Sequence, residues 1–327
     1  MENTRRSVMG LAVGAIAASG IAQAAAAAID PLKAPRDRFW VAALTPMDSR
    51  GDFDPGAYDA MLAYWKSQGA DGVLVLGTTG EAQAFSVAER KRILEQASRN
   101  KHGLDFIVGT GTANLPETIE LSRHAADNGA DSVLIVPPFY DKNPKGQGVT
   151  AYFDQVFAQI KTPVRYYHIP RVTGVPVDVS VFKSLTQYPN FVGVKDSNGD
   201  PAEFAAITAA LPGLNVVTGT DNNLEATLKN GNGCILASGN VYTHLVAAVF
   251  QAHRAGQDVK PAIQKLADAQ VMFKATAAGA SGSAANKYAV SLLLGRGQAH
   301  VRPPGLQLED AHKPQIEAAI QQLRALA

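Results

Sequence analysis

Eight short, almost continuously apolar runs alternate with longer stretches of helical periodicity from Arg38 onward. This restricts the chain to folds in which parallel strands are joined by crossover helices. The runs are Phe39 to Leu44, Gly72 to Leu76, Phe106 to Gly109, Ser132 to Val136, Val164 to His168, Phe191 to Lys195, Asn215 to Thr218 and Gly233 to Leu236. Being almost continuously apolar, they read as strands covered on both faces. Between them lie amphipathic stretches such as Tyr58 to Gln68, Ala88 to Asn100, Pro116 to Asn128 and Leu245 to Ala255. Three junctions, Gln68-Gly-Ala-Asp-Gly72, Asn128-Gly-Ala-Asp131 and Asn230-Gly-Asn-Gly233, put a glycine at a helix end just before a strand. A left-handed residue closes the helix there. Eight units without an inserted domain predict an α/β fold, a (β/α)8 TIM barrel over residues 35–256, in preference to an open doubly wound sheet. Helical patterns at Pro261 to Ala277, Ala284 to Leu294 and Asp310 to Leu326 predict a C-terminal helical appendage over residues 257–327.

The 327 residues are 46% hydrophobic and carry a formal net charge of +1, with the charges interspersed. That is ample material for a core and offers no basic face to nucleic acid, so a small-molecule partner is expected. A single cysteine, Cys234, rules out an internal disulfide and any metal site of several thiolates. Within Gly233-Cys-Ile-Leu-Ala237 it reads as a buried hydrophobe.

Residues 1–28 differ from all that follows. Arg5 and Arg6 precede an apolar, Ala-rich stretch from Val8 to Ile21 and then Ala22-Gln-Ala24, the pattern of a cleaved signal peptide. The paired arginines favour a twin-arginine signal, although an ordinary secretory signal also fits. A membrane anchor fits less well, because the stretch is short and rich in Ala and Gly. The expectation is a mature protein in the periplasm, with no membrane attachment after cleavage.

In such a barrel, reactive groups come from the C-terminal ends of the strands and the loops that follow. Those ends carry Gly77-Thr-Thr-Gly-Glu81, Pro137-Pro-Phe-Tyr140, Tyr166-Tyr-His-Ile-Pro170 and Gly193-Val-Lys-Asp-Ser197. Lys195 closes the apolar run that begins at Phe191, so a buried strand delivers an amine to the barrel mouth. An ordinary lysine is only about 0.04% neutral at pH 7, and burial favours the neutral nucleophile. Such an amine attacks a ketone to give an iminium, an electron sink for making or breaking an adjacent carbon–carbon bond. Alone, a buried ion pair with Asp196 or another carboxylate explains Lys195 better.

Gly77-Thr-Thr-Gly-Glu81 shifts the balance. Its backbone N–H groups and hydroxyls can converge on the carboxylate of a keto acid. A glycine turn with Thr capping the next helix explains the same residues equally well. Tyr167 offers a phenol for proton transfer to a carbinolamine, yet most tyrosines are only packed.

Taken together and in this order, Gly77-Thr-Thr-Gly-Glu81, Tyr167-x-x-Pro170-x-x-Thr-Gly174 and Gly193-Val-Lys-Asp-Ser197 resemble the dihydrodipicolinate synthase and N-acetylneuraminate lyase superfamily. The resemblance spans Arg38 to Ala327, including Arg302-Pro-Pro-Gly305. It implies that Lys195 is the Schiff-base lysine and Tyr167 the proton-shuttling phenol. It further implies that Thr78 and Thr79, with Gly77, hold a pyruvate carboxylate, Thr78 also linking the proton relay. Tyr140 matches a tyrosine that reaches into a neighbouring subunit's site. Ile235 matches a residue whose backbone lies near the Schiff base. The resemblance also implies a homo-oligomer built as a dimer of dimers, and chemistry through the lysine imine with no cofactor and no metal.

Two departures bear on the substrate. The synthases carry an arginine where this chain has Val172, and Arg171 is displaced by one residue, which aims its side chain elsewhere. His168 replaces the Asn common beside the tyrosine, as a substrate contact or a structural histidine. Gly219-Thr-Asp221 matches the position where sugar-acid lyases grip hydroxyls, with Asp221 as a hydroxyl contact or a helix cap. Ser238 is a further hydroxyl contact. The leading expectation is retro-aldol cleavage of a hydroxylated 2-keto acid that yields pyruvate. The alternatives are 4-hydroxy-tetrahydrodipicolinate synthase, condensing pyruvate with aspartate semialdehyde, and an exported keto-acid binding protein without turnover.

Overall fold

In the computed structural model, residues 36–277, 280 and 282–326 are described. The expected signal peptide, residues 1–28, lies outside them. Strand β1 (Phe39–Ala42) leads to helix α1 (Pro55–Ser67), followed by β2 (Gly72–Val75), α2 (Val87–Arg99), β3 (Asp105–Gly109), α3 (Leu115–Asp127), β4 (Ser132–Ile135), α4 (Gly146–Gln159) and β5 (Val164–His168). A single turn, α5 (Pro170–Thr173), precedes α6 (Val179–Leu185). Then come β6 (Phe191–Asp196), α7 (Pro201–Ala210), β7 (Asn215–Thr218), α8 (Leu224–Lys229), β8 (Cys234–Leu236) and α9 (Thr243–Arg254). The strands pair in chain order, all parallel, and β8 pairs with β1 to close the barrel.

Local chemistry fixes the helix starts. Asp54, Asn114 and Asp200 each accept a backbone N–H in the first turn of α1, α3 and α7, with a proline at the start of each helix. Ser86 and Glu89 form a reciprocal capping box on α2. The junction glycines Gly69, Gly129 and Gly231 take φ of 92°, 73° and 65°, the left-handed geometry anticipated for these helix ends.

Strand periodicity sorts the apolar side chains. Trp40, Leu74, Ile107, Leu134, Tyr167, Val217 and Ile235 fill the barrel interior. Their chain neighbours point outward to the helices, Val41 and Val73 toward the side of α1 and α9, Tyr166 and Phe191 toward α4 and α6. Cys234 is fully buried among these outward-facing residues, and burial pushes its thiol well up. At the N-terminal end of the barrel, buried Arg165 donates to Asn215 Oδ1 at 2.6 Å and lies over the Trp40 ring.

Three further helices follow, α10 (Lys260–Thr276), α11 (Gly282–Leu293) and α12 (Lys313–Arg324). Their Leu266, Phe273, Tyr288, Ile316 and Ile320 belong to the same apolar cluster as Phe39, Trp65 and Phe250 of the barrel. The appendage therefore shares the barrel's core. Among the described residues no helix is long and apolar enough to cross a membrane.

Candidate active site

Strands β5 and β6 pair in register, Tyr167 opposite Lys195 and His168 opposite Asp196. Because successive strand residues face opposite ways, Tyr167 and Lys195 enter the barrel while His168 and Asp196 face the helices. Lys195 Nζ lies 3.4 Å from the Tyr167 hydroxyl and 4.4 Å from its ring centroid. The two side chains are 4% and 5% exposed, so the amine sits in a largely water-excluded place. Among the described residues no carboxylate lies within ion-pair distance of Lys195, so the expected alternative of a pair with Asp196 does not form. Asp196 is on the other face of the strand, where it accepts from the Asn198 N–H at 3.1 Å and burial raises its carboxyl.

Burial opposes ionisation of Tyr167. That opposition is the largest single influence, and the Lys195 ammonium together with the nearby hydroxyls of Thr78 and Ser197 overcomes it and holds the phenol below its ordinary range. Ser197 is buried, and its hydroxyl makes no hydrogen bond of ordinary geometry among the described residues. It follows Lys195 by two positions and shares its face, a period-2 signal that sequence reading had not used.

Gly219 makes room for this cluster. A methyl group on it would stand 1.9 Å from Ser197 Oγ and 2.9 Å from Lys195 Cε. Its place in the fold is that of a spacer against the lysine stem.

Thr78 and Thr79 sit half-buried in the turn after β2, bracketed by two left-handed residues, Leu76 with φ 57° and Glu81 with φ 53°. Gly109 permits the first of these, since a Cβ there would lie 2.2 Å from the Leu76 carbonyl oxygen. Thr45, which sequence reading missed, donates to the Gly80 carbonyl at 2.7 Å from beneath the turn. Neither threonine caps α2, because Ser86 does so. The Thr78 hydroxyl lies beside the Tyr167 phenol.

A cavity of about 800 Å³ opens at this end, lined by Gly77, Thr78 and Tyr167 together with Val136, Phe139 and Val172. Thr79, Tyr140, Lys195, Gly219, Asp221, Ile235 and Ser238 do not line it. Ile235 is fully buried in the barrel interior. Tyr140 is 83% exposed. Val172 is exposed at the rim, and Arg171 beside it is exposed and makes no hydrogen bond or ion pair among the described residues.

Of the two readings of Asp221, the helix cap is excluded. Its Oδ1 instead accepts from Ser238 Oγ at 2.7 Å and from Gln270 Nε2 of α10 at 3.0 Å. Ser238 and Asp221, each expected separately as a hydroxyl contact, are therefore bonded to one another, with Gln270 as an unanticipated third member. His168 does not face the cavity. Its Nε2 lies 2.7 Å from Glu203 Oε1 of α7, a structural contact on the outer side of β5.

These groups gather at the C-terminal mouth of an eight-stranded barrel, and the dihydrodipicolinate synthetase family model matches residues 36–323. The chain belongs to that family. Among family relatives, a 4-hydroxy-tetrahydrodipicolinate synthase of Acidiphilium cryptum is 35% identical over 292 residues, 88% of this chain and 98% of the relative. An uncharacterized DapA-like lyase of Chloroflexus aurantiacus is 40% identical over 233 residues, 69% of this chain and 77% of the relative. The crystal structure of YagE, a prophage protein of the family from E. coli K12 in complex with pyruvate, superposes with a TM-score of 0.80 at 29% identity. It covers 88% of this chain and 98% of that one. As a family member, the chain is a carbon–carbon lyase of the class I aldolase type.

Proposed function

We propose that this family member forms a Schiff base between Lys195 and a pyruvate unit, and that its reaction is retro-aldol cleavage of a hydroxylated 2-keto acid. The observation that carries the reading is the buried 3.4 Å approach of Lys195 Nζ to the Tyr167 hydroxyl. In its neutral form Lys195 attacks the C2 ketone, and Tyr167 supplies the proton with which the carbinolamine oxygen leaves as water. Thr78 and Thr79 hold the substrate carboxylate. Loss of the C4 hydroxyl proton to the Tyr167 phenolate breaks the C3–C4 bond, and its electron pair passes into the iminium to give an enamine. The aldehyde departs, the enamine is protonated at C3, and hydrolysis returns pyruvate and the free amine. The reaction uses no cofactor beyond this covalent imine.

Two features support cleavage of a polyhydroxylated acid. The rim position where the synthases carry an arginine holds Val172, which offers no charge to the carboxylate of aspartate semialdehyde. Asp221 and Ser238 form a polar pair beyond β7 and β8, suited to substrate hydroxyls. The second reading, condensation of pyruvate with aspartate semialdehyde, draws on the relative of Acidiphilium cryptum that bears the synthase name.

Borohydride reduction in the presence of pyruvate should add one reduced pyruvate to the intact protein and none to Lys195→Ala. Absence of the adduct, or its persistence in Lys195→Ala, overturns the imine mechanism. An adduct without turnover of any 2-keto acid would instead favour a binding protein. Efficient turnover of pyruvate plus aspartate semialdehyde to the cyclised product would displace the aldolase reading in favour of the synthase. The same proposal includes export to the periplasm. C-terminally tagged protein should appear in the periplasmic fraction shortened at its N-terminus, and Arg5→Lys with Arg6→Lys should retain it in the cytoplasm.

A further inference from the structure

The turn that carries Thr78 and Thr79 ends in Glu81, whose backbone is left-handed at φ 53° and ψ 36°. A residue with a Cβ adopts this conformation only against steric strain, so something must hold it there. The holder comes from the far end of the chain. Lys287 of α11 is 2% exposed and places Nζ 2.6 Å from Glu81 Oε1, as a close ion contact off the ideal hydrogen-bonding direction. A second donation from Nζ goes to the His300 carbonyl at 2.9 Å. Burial pulls the Lys287 amine down, and Glu81 opposes that pull.

Glu81 is wired directly to the threonines. Its N–H donates to the Thr78 carbonyl at 3.0 Å, and the Ala82 N–H donates to the Gly77 carbonyl at 3.3 Å. Arg302, also from the C-terminal region, holds the next segment by donating to the Ala84 carbonyl at 2.9 Å and to Glu89 Oε1 at 2.7 Å. Thus one buried cation from the appendage holds the turn that faces the cavity, and a half-buried one holds the segment that follows it.

We infer that Lys287 is a positioning residue for substrate binding: through Glu81 it sets the backbone of the Thr78–Thr79 turn in the shape that receives the substrate carboxylate. This rests on the proposal that these threonines hold that carboxylate. It gives the C-terminal helices a part in catalysis, acting through the turn with no contact to the reacting atoms.

The test is borohydride trapping across a range of pyruvate concentrations, which separates half-saturation from the limiting trapping rate. Thr79→Ala serves as the control for the underlying reading and should raise half-saturating pyruvate; if it does not, the carboxylate assignment fails whatever Lys287 does. With that control satisfied, folded Lys287→Met should raise half-saturating pyruvate about tenfold while the limiting rate stays within about threefold. Adding Glu81→Asn, which removes the stranded carboxylate and tolerates the left-handed backbone, should bring half-saturation back toward the wild-type value. An unchanged half-saturation, a loss confined to the limiting rate, or failure of the Asn rescue each overturns the proposal. Should Lys287→Met not fold, Glu81→Gln decides: a rise of about threefold supports the inference, and no change overturns it.

Discussion

Tyr167 and Lys195 are register partners on adjacent parallel strands, and their terminal polar atoms meet 3.4 Å apart inside the barrel. In the proposed mechanism this pairing makes the phenol the first proton donor that a newly formed carbinolamine encounters, and it ties the acidity of Tyr167 to the charge of Lys195.

Tyr167→Phe keeps the ring that packs against the lysine and removes only the hydroxyl. Pyruvate trapping by borohydride should slow by about 10²- to 10⁴-fold, the usual span for loss of a general acid–base. A trapping rate within threefold of wild type in a folded variant would assign the proton transfer elsewhere.

The same pairing predicts the order of tyrosine ionisation. Burial pushes up the phenols of Tyr58, Tyr166 and Tyr242, whereas at Tyr167 the same burial is overcome by Lys195 together with the Thr78 and Ser197 hydroxyls, which hold the phenol below its ordinary range. As pH rises, tyrosinate absorbance should therefore develop first from Tyr167, and the earliest part of the titration should vanish in Tyr167→Phe.

Gly219→Ala places a methyl group against Ser197 Oγ and Lys195 Cε. Overpacking of this kind costs about 1–3 kcal/mol in stability. Displacement of the lysine should cost more in function, about 100-fold in trapping rate. Thermal melts and trapping on the same preparation separate the two effects; a variant that melts lower but traps normally would mean the lysine adapts.

The Arg302 guanidinium beside Glu89 brings its carboxyl down to about 2. A depressed carboxyl stabilises the fold fully above its ordinary value near 4.5, and that stability is lost as the pH falls from there toward 2. With both side chains about a quarter exposed, solvent screening reduces the contribution to about 1 kcal/mol. Arg302→Met should then show a flatter loss of melting temperature than wild type across that acid range, the gap between the curves narrowing toward its lower end to the offset left by the lost donations to the Ala84 and Gly51 carbonyls.

Cys234 is fully buried with its thiol pushed well up, so it should resist alkylation in native protein and react once denaturant is added. Labelling of the native state at the rate of a free thiol would place it at the surface.

The strand positions were legible because strands buried on both faces must be apolar throughout, and the helix starts were legible because Asp54, Ser86, Asn114 and Asp200 declare themselves by residue type. Lys195, Tyr167 and Thr78 could be gathered on paper because each stands at a strand end, and all strand ends of a parallel barrel open to one side. Ser197 was equally accessible by its spacing from Lys195.

Other features depended on contacts between distant parts of the chain. The residue number of His168 does not say that it faces Glu203, nor does that of Asp221 say that its partners are Ser238 and Gln270. That Gly219 serves as the space beside Lys195, and that Lys287 holds Glu81 across the whole barrel, follows only from closure of the sheet and docking of α11 on it. By itself the sequence determined the barrel, because periodicity and residue type are local properties, and its strand-end motifs, through their family resemblance, singled out Lys195 as the candidate nucleophile. Which charges are paired, and which side chain holds which loop, was decided by the tertiary structure, because those energies arise between segments that only the folded chain brings together.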